Sequence, residues 1–392
     1  MPNNNLVQVN IDGDMVILPE VYVNTLDAID KWLYIEDWQS INILLGAAAA
    51  LYIPGDPLWL RNIGASGAGK TELLRAISAH ADSFELATFT PASLAGGYKD
   101  GYKLLKDING KRVVTLDISP LITKNRDTRK QLFGILRYAF DGSFVSAFGS
   151  PEEILKQKAS FDWLLGATPA IESQRNLDAE LGERFVDLRL KLNDPEKAAE
   201  RAFKNAGVLT QMRQELGEVV KQLLEYCKAS SKPQIYPDIA DKIPKLANIM
   251  ALLRSPVPRD RYHNVSYMPQ PELGTRIAQS LNKLAKGIAL IKGKKEADWE
   301  EYLALVRIAT DSIPSTRRVI LAEYVNGKRK IEDIAKATSL SAGQVSELLQ
   351  DLELLCIKRG DKLLVDFNKT TVIAPGVHWP PKVDYSEAIA RR

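Results

Sequence analysis

Residues 64–71, GASGAGKT, match the pattern G-x-x-x-x-G-K-[ST] at every fixed position. Glycines let the backbone turn tightly, so that its N–H groups converge on a phosphate and the next helix adds its positive dipole end. In this pattern Lys70 reaches the β- and γ-phosphates of a nucleotide and Thr71 ligates magnesium. The alternative is a glycine turn without a ligand, which the strand before the loop and the helix after it disfavour. The predicted nucleotide-binding residues are Gly64, Ala65, Ser66, Gly67, Ala68, Gly69, Lys70, Thr71 and Glu72.

A second metal-binding carboxylate is expected at the end of a neighbouring strand. The segment RVVTLD has strand character and ends at Asp117. A strand-end aspartate is often only a turn former, but its place after the glycine loop favours metal binding. We therefore predict Thr71 and Asp117 as the magnesium ligands.

The elements that must position these residues alternate between strand and helix. Strand patterns at PLWLRNI, FELATF, RVVTLDI and FDWLLGATPA are interleaved with helical patterns at KTELLRAISAHA and RKQLFGILRYAF. Such alternation favours an α/β fold with a parallel sheet covered on both faces. The segment DWQSINILLGAAAALY is predicted to be a helix, with Asp37 near its N-terminus.

After about residue 190 helical patterns dominate, and a further unit begins near Pro314. That unit reads as helix-turn-helix followed by two strands around Gly360, the winged-helix pattern. The predicted domains are an N-terminal extension (1–36), an α/β core (37–192), a helical domain (193–313), a winged helix (314–367) and a C-terminal tail (368–392).

Composition excludes several classes of protein. The net charge of the 392 residues is only +3, too weak by itself to imply nucleic acid. Cys227 and Cys356 form neither a metal pattern nor a disulfide framework, and the three histidines do not form a metal cluster. The N-terminus is unlike a signal peptide, and the apolar run 41–54 is too short to cross a bilayer. A cytoplasmic protein without a membrane segment is expected.

With these motifs the chain resembles AAA+ ATPases over residues 37–313, in particular the MCM-like branch with a pre-sensor-1 hairpin and the helicase-like ATPases of phages and mobile elements. LLGATPA is similar to the sensor-1 strand, which implies a role for Thr168 near the γ-phosphate. LGERFVDLRL implies that Arg184 is an arginine finger, and PELGTRIAQSLNKLAKGIAL implies that Arg276 is the sensor-2 arginine. The alternative for each arginine is an ordinary surface or salt-bridging residue.

The resemblance implies an AAA+ P-loop sheet, a helical lid domain, ATP and Mg²⁺ as cofactors, and a homo-oligomer, a hexamer, in which the finger serves the neighbouring subunit. One feature departs from it. The family has Asp-Glu at the end of this strand, whereas Asp117 is followed by Ile118. Either hydrolysis is slow, or another carboxylate, Glu72 or more weakly Asp141, positions the attacking water.

Basic residues in three places suggest contacts with DNA. In the family that the chain resembles, an insertion at the position of DGSFVSAFGSPEEILKQKAS forms a hairpin that points into the pore of the ring. The resemblance implies that Lys156 and Lys158 lie near the tip of this hairpin. Charges there suit phosphates without reading sequence. The predicted recognition helix, SAGQVSELLQDLE, is acidic and suits DNA poorly, so contact by the wing or a regulatory packing role is expected. For the segment with Lys156 and Lys158, and for the segment with Lys99 and Lys103, the alternative is a solvated loop with ordinary charges. The other predicted contacts are Lys99, Lys103, Lys358 and Arg359.

The expected function is that of an ATP-dependent ring ATPase that translocates single-stranded DNA through a central pore, as a replicative helicase of a phage or mobile element does. Two alternatives stay open. One is a nucleotide-switched helicase loader or initiator with little unwinding, which the missing glutamate favours. The other is an AAA+ remodeller of a protein partner.

Overall fold

The computed structural model describes residues 5–11, 14–95, 104–147, 154–173 and 184–363. These residues form two compact units. Unit 1 takes the described residues up to Ile235 together with Asn282–Ala297, and unit 2 takes Tyr236–Leu281 and the described residues from Asp298 onward. Lys99 and Lys103 lie outside the described residues, so the structure does not bear on their predicted role.

Unit 1 begins with an antiparallel hairpin and two helices. Strands β1 (Leu6–Ile11) and β2 (Asp14–Pro19) pair with each other, and helices α1 (Glu20–Trp32) and α2 (Trp38–Ala49) follow. The predicted helix after Asp37 is confirmed, because the Asp37 side chain accepts a hydrogen bond from the Ser40 N–H and caps α2. Almost every side chain from Ile41 onward in α2 is buried, as its apolar sequence indicates.

A five-stranded parallel sheet forms the centre of unit 1, with strand order β4-β5-β8-β3-β9. The predicted α/β class with a parallel sheet is thereby confirmed, and the sheet is compatible with a P-loop α/β fold. Its three central strands are buried along their whole length, as expected for a parallel sheet covered on both faces. The five strands are β3 (Trp59–Ile63), β4 (Ser83–Glu85), β5 (Arg112–Thr115), β8 (Asp162–Ala167) and β9 (Phe185–Arg189).

The register of these strands decides which residues meet at one edge. Ile63 of β3 pairs with Ala167 of β8, and Thr115 of β5 pairs with Leu165 of β8. The carboxyl ends of β3, β8 and β5 therefore lie side by side. Intervening elements are helices α3 (Lys70–Ser78), α4 (Pro91–Ala95), α5 (Leu104–Ile108), α6 (Ser119–Ile122) and α7 (Arg126–Phe140), and the antiparallel hairpin of β6 (Gly142–Ala147) and β7 (Ile154–Ala159).

Aromatic packing fills one face of the sheet. Trp59 lies edge-on to Phe140 at 5.0 Å and to Trp163 at 5.3 Å between ring centroids. Leu132 and Leu136 of α7 join this cluster. On a different part of unit 1, α2 meets the later helix α12 (Thr275–Ile291) through two glycines. A Cβ at Gly287 would lie 2.2 Å from the Gly46 carbonyl oxygen, so the helices approach too closely for any side chain there.

The helices after the sheet do not follow the predicted domain boundary at 192/193. Helices α8 (Pro195–Asn205) and α9 (Leu209–Ala229) belong to unit 1, and α9 packs against α1 and α3. The Thr25 hydroxyl, for example, donates to the Val219 carbonyl at 3.2 Å. The sequence change near residue 190 marks the end of strand–helix alternation rather than the end of the compact unit.

Unit 1 also holds the short parallel pair β10 (Gln234–Ile235) and β11 (Glu296–Ala297). Helix α12 begins in unit 2 and ends in unit 1. Unit 2 ends with three helices and an antiparallel pair of short strands. The elements are α10 (Pro237–Ala240), α11 (Lys242–Arg254), α12 (Thr275–Ile291), α13 (Trp299–Asp311), α14 (Ser315–Val325), α15 (Ile331–Thr338), α16 (Ala342–Leu354), β12 (Lys358–Arg359) and β13 (Lys362–Leu363).

Candidate nucleotide-binding site

The glycine loop connects the carboxyl end of β3 to the start of α3. Gly67 and Gly69 have φ angles of +85° and +76°, in the left-handed region that favours glycine. The Gly64 N–H donates to the Ala167 carbonyl at 3.1 Å, which ties the loop to β8. The loop therefore has the backbone that the sequence pattern requires, at the edge of the sheet where β5 and β8 also end.

Lys70 lies inside this loop and is only 7% exposed. Its Nζ donates to the carbonyl oxygens of Gly64 at 2.6 Å and Ala65 at 2.5 Å. Burial lowers the pKa of Lys70, and the negative charge of Asp117 opposes that shift. A buried ammonium held only by carbonyl oxygens would gain from a nearby anion, so the loop suits a phosphate.

Asp117 follows β5, and Thr168 follows β8, the strand that lies between β5 and β3. The Asp117 carboxylate is exposed and accepts hydrogen bonds from the Ser119 N–H at 3.0 Å and the Ser119 hydroxyl at 2.7 Å. Thr168 is half-buried directly after β8, between the ends of β3 and β5. Thr71 is exposed at the start of α3. The strand order thus brings the three predicted polar residues to the loop's edge of the sheet.

Glu72, a predicted candidate for positioning water, is held by another helix. Arg213 of α9 donates its Nε to Oε2 of Glu72 at 2.9 Å and its Nη2 to Oε1 at 2.8 Å. This bidentate pair raises the pKa of Arg213 and occupies both oxygens of the carboxylate. Glu72 is therefore not poised as a free base. Its sequence position next to Thr71 gave no sign of Arg213, which lies 141 residues away.

Arg184 differs from the expectation of a finger that reaches a neighbouring subunit. It is 6% exposed and lies just before β9, at the end of that strand opposite the glycine loop. Its Nη2 is 3.0 Å from Oδ2 of Asp141, and its guanidinium lies 5.3 Å from the ring centroid of Phe140. Asp141, the weaker candidate base, is thereby engaged as well. Burial beside Phe185 explains the difference, because the arginine precedes a core strand.

Arg276 is exposed in the first turn of α12. This stretch of α12 belongs to unit 2, whereas the glycine loop belongs to unit 1. The structure therefore agrees with the exposure that a sensor-2 arginine needs, and its approach to the nucleotide stays a prediction.

A shallow, open cleft lies beside the glycine loop and was not predicted. Ile41, Leu73 and Leu190 form apolar walls, and Ala68 of the loop closes one side. Glu36 in the same cleft accepts hydrogen bonds from the Asn193 and Asp194 N–H groups and from the Tyr34 hydroxyl. Apolar walls with a few fixed polar groups are typical of small-molecule sites. The sequence signal for this cleft was weak, since its lining comes from four separate segments.

The structure describes the strand positions of two predicted DNA contacts, Lys156 and Lys158. In the β6–β7 hairpin, Lys158 pairs with Ser143, one position from the base, and Lys156 pairs with Val145. The expectation that Lys158 lies near the tip is therefore wrong, although Lys158 is exposed. Residues 148–153, which connect the two strands, lie outside the described part of the chain.

In the second hairpin Lys358 is 8% exposed and engaged within unit 2. Its Nζ donates to Oε1 of Glu353 at 2.6 Å and lies 5.8 Å from the ring centroid of Tyr324. Lys358 is therefore not available to DNA as predicted, because its charge is neutralised inside its own unit. The next residue, Arg359, is exposed, and its contact with DNA stays a prediction.

A group of carboxylates and a buried cysteine elsewhere in the chain have structural explanations. Asp298, Glu300 and Glu301 bring carboxylates together, but Asp298 and Glu301 form the capping box of α13. Burial raises the pKa of the Cys227 thiol to about 12, so it is not a reactive thiolate.

Comparison with models of protein families and with curated proteins gives no match for this chain. Among the described helices, none has both the length and the apolar character to cross a membrane.

Proposed function

We propose that this protein binds ATP and Mg²⁺ at the glycine loop and hydrolyses the nucleotide, as AAA+ ATPases do. One observation carries the proposal. The buried Lys70 ammonium sits in a glycine loop with left-handed φ angles, at the sheet edge that also holds Asp117. A buried cation that is held by carbonyl oxygens, in a loop that leads into a helix N-terminus, suits a polyphosphate.

Different residues of the chain would bind the phosphates and the metal ion. Lys70 would leave the Gly64 and Ala65 carbonyls and donate to the β- and γ-phosphates, while Thr71 and Asp117 offer oxygen ligands to the metal. Mg²⁺, when bound, neutralises charge on the phosphate oxygens. Thr168, directly after β8, would donate to a terminal phosphate oxygen.

We further propose that nucleotide turnover drives single-stranded DNA through a ring of subunits, a hexamer. The exposed Lys158 on the β6–β7 hairpin and the exposed Arg359 on the β12–β13 hairpin support contact with phosphates. The order of α14, α15, α16 and the β12–β13 hairpin supports a winged helix, and the helices before it would form the lid.

A nucleotide-switched loader or initiator is the second candidate, and one observation favours it. The residue after Asp117 is Ile118, which is buried, and the nearby Glu72 carboxylate is bound at both oxygens by Arg213. Slow hydrolysis would suit a switch better than a motor. Strong stimulation of ATP turnover by single-stranded DNA would favour the motor, whereas slow turnover with nucleotide-dependent DNA binding would favour the switch.

Lys70→Ala tests the nucleotide site directly. Removal of the ammonium takes away a charge-assisted contact with the phosphates, so we expect ATP affinity to fall about ten- to a hundredfold. A fluorescent ATP analogue titrated into parent and variant measures this, with the exposed Lys204→Ala as the matched control. Equal affinity in Lys70→Ala and parent would contradict the proposed site.

A further inference from the structure

A loop of unit 2 between α11 and α12 exposes large side chains that the candidate site does not use. Tyr262, Tyr267 and Met268 are 67%, 69% and 67% exposed, and Arg261 is exposed as well. Residues 259–268, here called the tyrosine loop, place three large apolar surfaces and one guanidinium in solvent. Such a concentration of exposed aromatic and basic groups points to a ligand surface.

Hydrogen bonds within the tyrosine loop fix its backbone. Arg259 and Val265 form an antiparallel bridge, and the Asp260 N–H donates to the Asn264 carbonyl at 2.9 Å. The Asp260 carboxylate accepts from the N–H groups of Tyr262 at 2.8 Å and Asn264 at 3.0 Å. The aromatic side chains are therefore displayed on a braced turn, which lowers the conformational entropy lost when a ligand binds.

The loop is also fastened to α16. Arg259 donates to Oδ1 of Asp351 at 2.6 Å and to Oε1 of Gln350 at 3.0 Å, and the His263 Nδ1 lies 3.0 Å from Oε2 of Glu347. These contacts explain why this helix, the predicted recognition helix, is acidic. Its carboxylates bind the tyrosine loop instead of a groove of DNA.

The tip of the loop carries one exposed carboxylate, Asp260, whose oxygens accept hydrogen bonds from the loop backbone, and one exposed guanidinium, Arg261. Asp351 neutralises the charge of Arg259, whereas Arg261, two residues further on, contacts Tyr262. The guanidinium of Arg261 lies 4.6 Å from the Tyr262 ring centroid and donates to the Tyr262 hydroxyl at 2.5 Å. In the described part of the chain no carboxylate pairs with Arg261. Its positive charge therefore stays beside an aromatic face that a base can stack on.

We propose that the tyrosine loop is a binding platform for single-stranded nucleic acid, on which Tyr262 and Tyr267 stack bases and Arg261 contacts a phosphate. Stacking on aromatic rings accepts any base, and an adjacent arginine follows the backbone. This inference rests on the proposed action on DNA, but it adds a contact outside the β6–β7 hairpin. It assigns the nucleic-acid surface of unit 2 to this loop instead of to α16.

The test measures binding of a labelled oligothymidylate to the full chain without nucleotide, by fluorescence anisotropy over a salt series. Tyr262→Ala and Tyr267→Ala should each weaken binding about tenfold, because a stacked base is lost. The Tyr→Phe variants at both positions should bind like the parent, since phenylalanine also stacks. Arg261→Gln should reduce the slope of log affinity against log salt by about 0.7, one phosphate contact on a single strand. Phe203→Ala, at a residue 83% exposed in unit 1, is the matched control.

Irradiation of the complex gives a second measurement, because thymidines stacked on tyrosine should cross-link to Tyr262 or Tyr267. The proposal is overturned if the alanine variants bind like the parent, if the parent binds no oligothymidylate, or if Phe203→Ala is equally weak. It is also overturned if the alanine variants lose self-association while DNA binding is intact, which would make the loop an interface between copies. ATP binding by the same variants, compared with Lys70→Ala, reports separately on the proposed nucleotide site.

Discussion

At the scale of single residues, burial separates the basic side chains into different roles. Lys70 is buried against carbonyl oxygens that a phosphate can replace, whereas Arg184 and Lys358 are buried against carboxylates of their own unit. A cation already neutralised by a carboxylate gains less from a second anion than one held by carbonyls. The structure therefore favours Lys70 as a ligand-binding residue and the other two as residues that position their surroundings.

Arg184→Ala tests that distinction. The guanidinium fills a buried position beside Phe140 and pairs with Asp141, so we expect the free energy of unfolding to fall by about 1–3 kcal/mol. Urea unfolding measures this, and Arg137→Ala, at an exposed position of α7, should change stability by less than about 0.5 kcal/mol. If mixing Arg184→Ala with Lys70→Ala restored ATP turnover, Arg184 would have to serve a neighbouring subunit, against this interpretation.

His80 predicts a dependence of stability on pH. Its side chain is fully buried, its Nδ1 accepts from the Asp82 N–H at 3.0 Å, and its Nε2 lies 3.1 Å from Glu225 without good hydrogen-bond geometry. Burial lowers the pKa of His80, and Arg112 and Lys228 act in the same direction against Glu225 and Asp82. The histidine is therefore neutral in the folded chain at pH 7.

Because the folded pKa of His80 is below the unfolded value, the unfolded chain binds more protons once the pH falls through about 6.5. Stability should therefore decrease between pH 7 and pH 5, by at most about 1.4 kcal/mol per pH unit from this residue. His80→Gln should flatten that decrease in urea unfolding, because the side chain that takes up the proton is removed. An equally steep decrease in His80→Gln would contradict the assignment.

At the scale of elements, the β6–β7 hairpin carries the two lysines of unit 1 that we propose contact DNA phosphates. Its strands are paired from Gly142 and Ala159 outward, so Lys156 and Lys158 sit at alternate positions of one strand. Residues two apart on a strand lie on the same face. Both lysines therefore belong to a strand that is separate from the elements of the glycine loop.

Replacement of Lys156 and Lys158 with alanine should weaken binding of single-stranded DNA and reduce its salt dependence, by about 0.7 in slope for each lost phosphate contact. ATP turnover without DNA should persist, because neither residue belongs to the nucleotide site. Anisotropy titrations and a turnover assay measure the two effects, with Lys204→Ala/Lys221→Ala as the control pair. A double variant that binds DNA like the parent would remove the hairpin from the proposed DNA path.

At the scale of the whole molecule, unit 2 is built from segments on both sides of residue 314. Arg317 of α14 is buried and donates to the carbonyl oxygens of Leu253 at 2.8 Å and Ser255 at 2.7 Å. Arg259 pairs with Asp351 in the same unit. The predicted winged-helix segment is thus joined to the segment after α11 by buried polar contacts.

A chain ending at residue 313 should therefore be less stable, because it leaves Arg259 and two buried carbonyl groups without their partners. We expect a lower midpoint of thermal unfolding and more aggregation than in the parent. A chain ending at residue 363 keeps every contact named here and serves as the control. Identical melting of the 313-residue chain and the parent would contradict the interpretation that these contacts support unit 2.

Local patterns in the sequence were sufficient to predict the glycine loop, the parallel sheet and the helix capped by Asp37. Each depends on backbone conformation and on the spacing of a few neighbouring residues. Only the tertiary structure decided which charged residues are available. Glu72 meets Arg213, Arg184 meets Asp141 and α9 packs against α1 and α3, all across long separations in sequence. Burial and pairing depend on which distant side chains the fold brings together, and a linear pattern carries no measure of that distance.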